Sequence, residues 1–167
     1  MHFTYCPHCG SELILKEIGD EGLIPYCNAC RVPLWDMFTT CVICAVINEH
    51  HEVALIRQSY VSQVKHVCVA GVMTMGEAAE DAAAREIGEE LGLQVEQLRF
   101  VRSYPYEQKE MLMLGFCARV KKSDFVLSDE VESAVWVPFD EALSLIREGS
   151  IAWQLVKTVI EGEVFHA

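Results

Sequence analysis

Gly71-Val-Met-Thr-Met-Gly-Glu77-Ala-Ala-Glu-Asp-Ala-Ala-Ala-Arg85-Glu86-Ile-Gly-Glu89-Glu90-Leu-Gly92-Leu93 is the stretch on which the reading of this chain turns. Its Ala- and Glu-rich part, 78–91, suits a helix, and Gly92 closes it in the position where a left-handed residue is wanted. On that helix Glu86, Glu89 and Glu90 stand at i, i+3 and i+4, so the pattern predicts three carboxylates on one face, with Ala84, Ile87 and Leu91 on the core-facing stripe. Like charges at that spacing cost a few tenths of a kcal/mol per pair, a penalty that a bound cation reverses. Clustered carboxylate oxygens suit Mg²⁺ or Mn²⁺, ions that keep waters and bridge to phosphates. Arg85 and Glu77 are placed to pair and hold the preceding loop against the helix. A solvated surface helix is the plainer alternative, but it accounts for neither Gly71 nor the spacing of Glu77 and Arg85.

Outward from this segment, β-branched runs at 40–48 and 52–57, a short run at 65–69, and strand-like segments at 98–104, 111–120 and 131–137 surround the helix. Pro138 and Asp140 open a second helix to about Arg147, and a third covers 151–161. Strands on both sides of a central helix, with two helices at the end, predict an α/β fold with a mixed sheet packed between helices.

The first 36 residues are read as a separate small domain, with the main domain at 37–167. Too few apolar residues are present there for a core. Cys6-Pro-His-Cys9 and Cys27-Asn-Ala-Cys30, 17 residues apart, carry the spacing of two zinc knuckles. Four thiolates satisfy a tetrahedral zinc ion and leave no open position, which makes the expected site structural. Leu13–Glu17 and Leu23–Tyr26 flank Gly19-Asp-Glu-Gly22 as a hairpin, giving a zinc ribbon. His2 and His8 are read as bystanders. Cys41, Cys44, Cys68 and Cys117 lie in apolar runs and are read as core.

The formal charge is −12, which disfavours nucleic acid as a partner, because a phosphate backbone needs a basic surface. Residues 1–35 set Lys16 and Arg31 against Glu12, Glu17, Asp20 and Glu21, so the ribbon is a poor phosphate reader. No apolar stretch approaches the roughly 20 residues of a membrane span. A leaderless start and eight cysteines are read as cytoplasmic, where thiols stay reduced.

The quoted segment resembles the Nudix hydrolases: it fits the signature G-x5-E-x7-R-E-U-x-E-E-x-G-U, with U a bulky aliphatic residue, at every position. A four-cysteine ribbon directly before such a segment, with Ala70-Gly71 where many other members have Pro-Gly-Gly, resembles the NADH pyrophosphatase branch. The resemblance implies an α/β/α sandwich and Mg²⁺-dependent cleavage of the diphosphate of an NAD(H)-like dinucleotide into two nucleoside monophosphates. It also implies that Glu86, Glu89 and Glu90 hold divalent ions alongside Arg85, that Glu86 is a candidate base, and that Gly71 contributes its carbonyl. Glu130, six residues before Trp136, fits a further carboxylate of the family on a later strand, with an exposed strand-edge glutamate as the alternative. The branch's substrate-selecting segment S-Q-P-W-P-F-P-x-S aligns with Ser103-Tyr-Pro-Tyr-Glu-Gln-Lys-Glu-Met111. Ser103 and Pro105 are identical, and Tyr104 and Tyr106 are open to two readings, stacking on a base or packing in a strand. ADP-ribose or another nucleoside-diphosphate compound is the rival substrate. A nucleotide-sensing module is the rival class. The resemblance also implies a supporting role for the ribbon in a homodimer.

Overall fold

The computed structural model describes residues 3–58 and 65–162. His2 lies outside them. The chain divides into two compact units, Met1–Thr39 with Gln108–Glu110, and Thr40–Glu107 with Met111–Ala167.

In the first unit, β1 (Ile14–Glu17) pairs antiparallel with β2 (Leu23–Cys27), which pairs with β3 (Val32–Pro33). The hairpin read from the sequence is there, and Gly22 takes a positive φ of 77° where the chain turns back. The two-residue β3 escaped sequence reading because so short a strand carries no periodicity. Its Leu34 N–H closes the sheet onto the Pro25 carbonyl at 2.7 Å.

In the second unit, strands β4 (Thr39–Ile47), β5 (Glu52–Arg57), β6 (Val69–Val72), β7 (Val95–Tyr106), β8 (Met111–Val120) and β9 (Ser133–Pro138) form one sheet. Its order is β7-β8-β4-β5-β9, with β6 paired to β4 beside this path. With β8 along one edge, the nine residues of β4 serve two further partners: Cys41–Cys44 pair with β6, and Val46 and Ile47 with β5. Helices α1 (Ala79–Leu91), α2 (Phe139–Leu145) and α3 (Ile151–Ile160) cover the sheet. Alternation along β4 shows how. Val42, Cys44 and Val46 pack with Ala82, Ala83, Ile87 and Leu91 of α1. Ile43, Ala45 and Ile47 pack with Ala142 of α2 and Leu155, Val156 and Val159 of α3. A strand buried on both faces reads as a continuous apolar run, as 41–47 does. The result is the α/β/α sandwich.

Two boundaries differ from the sequence reading. The strand expected at 65–69 forms at Val69–Val72, because His66 and Val67 make only isolated bridges to Ile146 and Ile56, while β4 offers a ladder from Cys44 to Cys41. Glycine weakens strand propensity, so Gly71 had marked a loop. On α1, Ala83 rather than Ala84 is buried; Ala84 faces outward. Cys44, Cys68 and Cys117 are buried in the two cores as expected, and burial pushes the Cys68 and Cys117 thiols up to about 12.

Candidate active site

Helix α1 starts without a side-chain cap at Ala78 and ends at Gly92, whose φ of 68° lets its N–H reach the Gly88 carbonyl. Between those ends the three glutamates are not equivalent. At about 100° per residue, Glu90 falls nearly in line with Ala83 on the stripe turned to the sheet, and Glu89 falls on the far side of Glu86. Glu90 is accordingly only 4% exposed. The Glu86 side chain is 12% exposed and that of Glu89 59%. The single solvent-facing cluster expected from spacing is instead a gradient from surface to interior.

Arg85 organises the outer part. Its Nε and Nη2 donate to the two oxygens of Glu77 at 2.7 and 3.0 Å, and its Nη1 donates to Glu86 Oε1 at 2.7 Å and Glu89 Oε2 at 3.0 Å. A fifth bond, Nη2 to the Val72 carbonyl at 3.3 Å, ties the helix to β6. The planar five-donor fork makes this possible where a lysine has a point charge. Glu77 is the anchor on the loop side: it also accepts from the Thr74 N–H and hydroxyl at 2.9 and 3.0 Å. The Arg85 guanidinium, aided by these Thr74 bonds, holds the Glu77 carboxyl down at about 2. The expected Glu77–Arg85 pair is thus present, and Thr74 joins it, a residue that no sequence signal singled out.

Gly71 lies directly under the Glu86 carboxylate: a Cβ at this position would overlap the Glu86 Cδ and both of its oxygens. That close approach, not a special backbone angle, is why glycine stands here. Gly71→Ala is expected to push the Glu86 carboxylate aside, since a side-chain end yields before a paired strand does. Turnover should drop by about 100-fold, with less than about 1 kcal/mol lost from folding. Steady-state kinetics beside thermal unfolding checks both halves; unchanged kcat would contradict the reading of this contact.

Deeper in, Glu90 Oε1 accepts from the Gln58 side-chain amide at 2.8 Å, while its Oε2 is buried with no partner among the described residues. Burial pushes the Glu90 carboxyl up to about 7, with repulsion from Glu86, Glu130 and Glu89 adding to it and the Gln58 bond opposing. An orphaned buried carboxylate oxygen beside other carboxylates is what a divalent cation site presents before the ion arrives, so the donor set fits Mg²⁺ or Mn²⁺.

Glu130 does not lie on the strand. It is exposed, in the turn preceding β9, where it adds to the field at Glu90. Its loop is pinned to the rest of the unit: Val126 N–H donates to the Leu91 carbonyl at 2.9 Å, Phe125 stacks on Trp136 at 5.0 Å, and Glu132 N–H bonds the Arg57 carbonyl at 2.9 Å. Tyr104 belongs to the core, 4% exposed, its ring against Gly115 and its hydroxyl unpartnered among the described residues. Of the two readings left open for it, packing holds, because β7 turns this position toward α3. Ser103 is exposed and Tyr106 half-buried on the same strand.

The four ribbon cysteines converge independently of this site, their sulfurs all within 4.8 Å of one another. Both knuckles are built alike. Gly10 and Arg31, each following the second cysteine, take φ of 72° and 60°. Each donates its N–H to the carbonyl of the first cysteine, at 2.9 and 2.8 Å. The Cys6–Cys30 and Cys9–Cys27 sulfur separations of 3.9 and 3.5 Å bracket the roughly 3.8 Å edge of a tetrahedron with 2.3 Å zinc–sulfur bonds. Hydrogen bonding with Ser11 draws the Cys9 thiol down to about 6, while bonding to Cys9 pushes Cys30 up to about 12.

Residues 37–159 match the NUDIX domain. Among curated proteins, the chain is 30% identical over 157 residues to the NAD-capped RNA hydrolase NudC of Escherichia coli strain K12, a match covering 93% of this chain and 60% of NudC. It therefore spans about 60% of the length of the curated relatives it matches. Among solved structures, a NUDIX hydrolase from Nitrosomonas europaea superposes with a TM-score of 0.75 at 22% identity, covering 96% of this chain and 92% of the other. The NUDIX domain of Shewanella oneidensis NrtR, solved with ADP ribose, superposes at 0.62 with 13% identity, covering 81% and 90%. No described helix is long and apolar enough to cross a membrane. With the signature helix, the sandwich that carries it and the matched span in agreement, the chain belongs to the Nudix family.

Proposed function

We propose that this chain hydrolyses the diphosphate bond of a nucleoside diphosphate linked to a second moiety, with NAD(H)-like dinucleotides as substrate and two nucleoside monophosphates as products. The observation that carries the reading is the buried Oε2 of Glu90, unpartnered among the described residues, at the inner end of the glutamate row. Glu86, Glu89 and Glu90, with the Gly71 carbonyl, would hold Mg²⁺ or Mn²⁺, and Glu130 stands near enough to add its charge. The metal, when bound, neutralises the diphosphate and makes its water acidic. Glu86 is the candidate base that accepts the proton of the attacking water as the P–O–P bridge breaks. Arg85 orients Glu86 and Glu89 for this work and keeps Glu77 ionised, so the loop that follows β6 stays seated.

In the ribbon, Cys6, Cys9, Cys27 and Cys30 would hold one structural zinc, a role supported by the paired knuckle turns and by the sulfur separations. A homodimer accompanies the NADH pyrophosphatase resemblance, and the reduced cysteines fit a cytoplasmic setting.

The name of NudC raises NAD-capped RNA as a substrate, whereas a charge of −12 favours small dinucleotides. The test is incubation with NADH, NAD⁺, NADP, ADP-ribose and an NAD-capped RNA in the presence of Mg²⁺ or Mn²⁺, with products separated by chromatography. The expected result is nucleoside monophosphate released fastest from NADH or NAD⁺. Preference for ADP-ribose would move the assignment to the rival substrate. Tight binding without release from any of the five would favour the nucleotide sensor, against which the complete glutamate set and its Arg85 brace stand.

A further inference from the structure

We infer that Gln58 is the positioning residue for Glu90, and so for the innermost ligand of the divalent cation; the inference rests on the metal reading proposed above. Gln58 stands just past β5, 32 positions before Glu90, and is 3% exposed. Its Nε2 donates to Glu90 Oε1 at 2.8 Å. A carboxylate on a rotatable side chain otherwise has two interchangeable oxygens. The amide binds one of them and leaves the other, Oε2, buried and, among the described residues, without a partner. The choice of residue type matters. An amide nitrogen carries hydrogens and no lone pair for a metal, so the group that grips the carboxylate does not itself compete for the ion. A lysine in its place would neutralise the ligand, and a second carboxylate would repel it.

The contact also ties the site to the sheet. Arg57, the last residue of β5, accepts the Glu132 N–H at 2.9 Å. The end of β5 therefore sets both Glu90, through Gln58, and the approach of the chain that carries Glu130. Partners that orient a metal ligand are worth about 10–100-fold in affinity or activity.

The test uses the zinc-loaded full chain and manganese alone as the probe, with free Mn²⁺ followed by its electron paramagnetic resonance signal. Four proteins are compared: wild type, Gln58→Met, Glu90→Gln and the double variant, each first shown by circular dichroism to be folded. Gln58→Met conserves volume and removes the donor. Its expected Mn²⁺ affinity is about 10–100-fold below wild type, with no further loss when it is added to Glu90→Gln, because Gln58 acts only through that carboxylate. Should Gln58→Met fail to fold, Gln58→Asn, an amide one methylene short, is read in its place with the same expectation. An affinity within twofold of wild type, or a loss as large on the Glu90→Gln background, would overturn the role of Gln58 and leave the metal reading standing. A wild-type chain that binds no manganese would overturn both.

Discussion

Glu86→Gln is expected to lower kcat by about a thousandfold, on the order of 4 kcal/mol of transition-state stabilisation. The substitution keeps the shape of the side chain and removes its charge, so its effect is chemical rather than steric. Glu86 is the point where three parts of the site meet: its carboxylate lies over Gly71, accepts from Arg85 Nη1 at 2.7 Å, and sits on the helical face between Glu89 and Glu90. An amide there is a poor metal ligand and no proton acceptor, so both proposed roles fail together. Folding is expected to survive, because Arg85 keeps its bonds to Glu77, Glu89 and the Val72 carbonyl. Kinetics on the best substrate of the panel, with circular dichroism on the same sample, reads the outcome. A variant retaining more than about a tenth of wild-type turnover would remove Glu86 from the chemistry, since a catalytic base alone contributes 10²–10⁴-fold.

Cys27→Ala should empty the ribbon of metal and unfold it. Structural zinc sites in small domains contribute on the order of 10 kcal/mol, which is folding energy where there is little core. The ribbon has little: Cys6 and Cys27 are buried, but Leu15 and Leu23 are 64% and 65% exposed, so apolar burial offers no substitute. Cys27 is also tied into its own knuckle, its sulfur accepting the Cys30 N–H at 3.3 Å and its carbonyl the Arg31 N–H at 2.8 Å. Elemental analysis should fall from about one zinc per chain to none, and limited proteolysis should open new cuts between residues 3 and 39. Retention of zinc, or an unchanged cleavage map, would show that the ribbon does not depend on this metal.

Much of this molecule is legible in one dimension because its decisive features are local. The spacing of Arg85, Glu86, Glu89 and Glu90 is set by a helix whose period is known before any fold is, and the two Cys-x-x-Cys knuckles are turns of four residues. Buried strands show as apolar runs, and β4 does so for 41–47 because helices cover both of its faces. Where the local signal was thin, the reading slipped: β3 has two residues, and β6 carries a glycine that depressed its strand character.

By itself, then, the order of residues determined the helix and its carboxylate spacing, the cysteine pairing pattern, the sandwich and the family. Only the tertiary structure decided which of the three carboxylates is buried, that Gln58 grips Glu90 across 32 positions, that Tyr104 packs inward, and that Glu86 lies over Gly71. The reason is geometrical. Helix and turn periods depend on a residue's near neighbours in the chain, whereas burial and cross-element bonds depend on which surface another segment covers, and that is settled only when the sheet and helices pack.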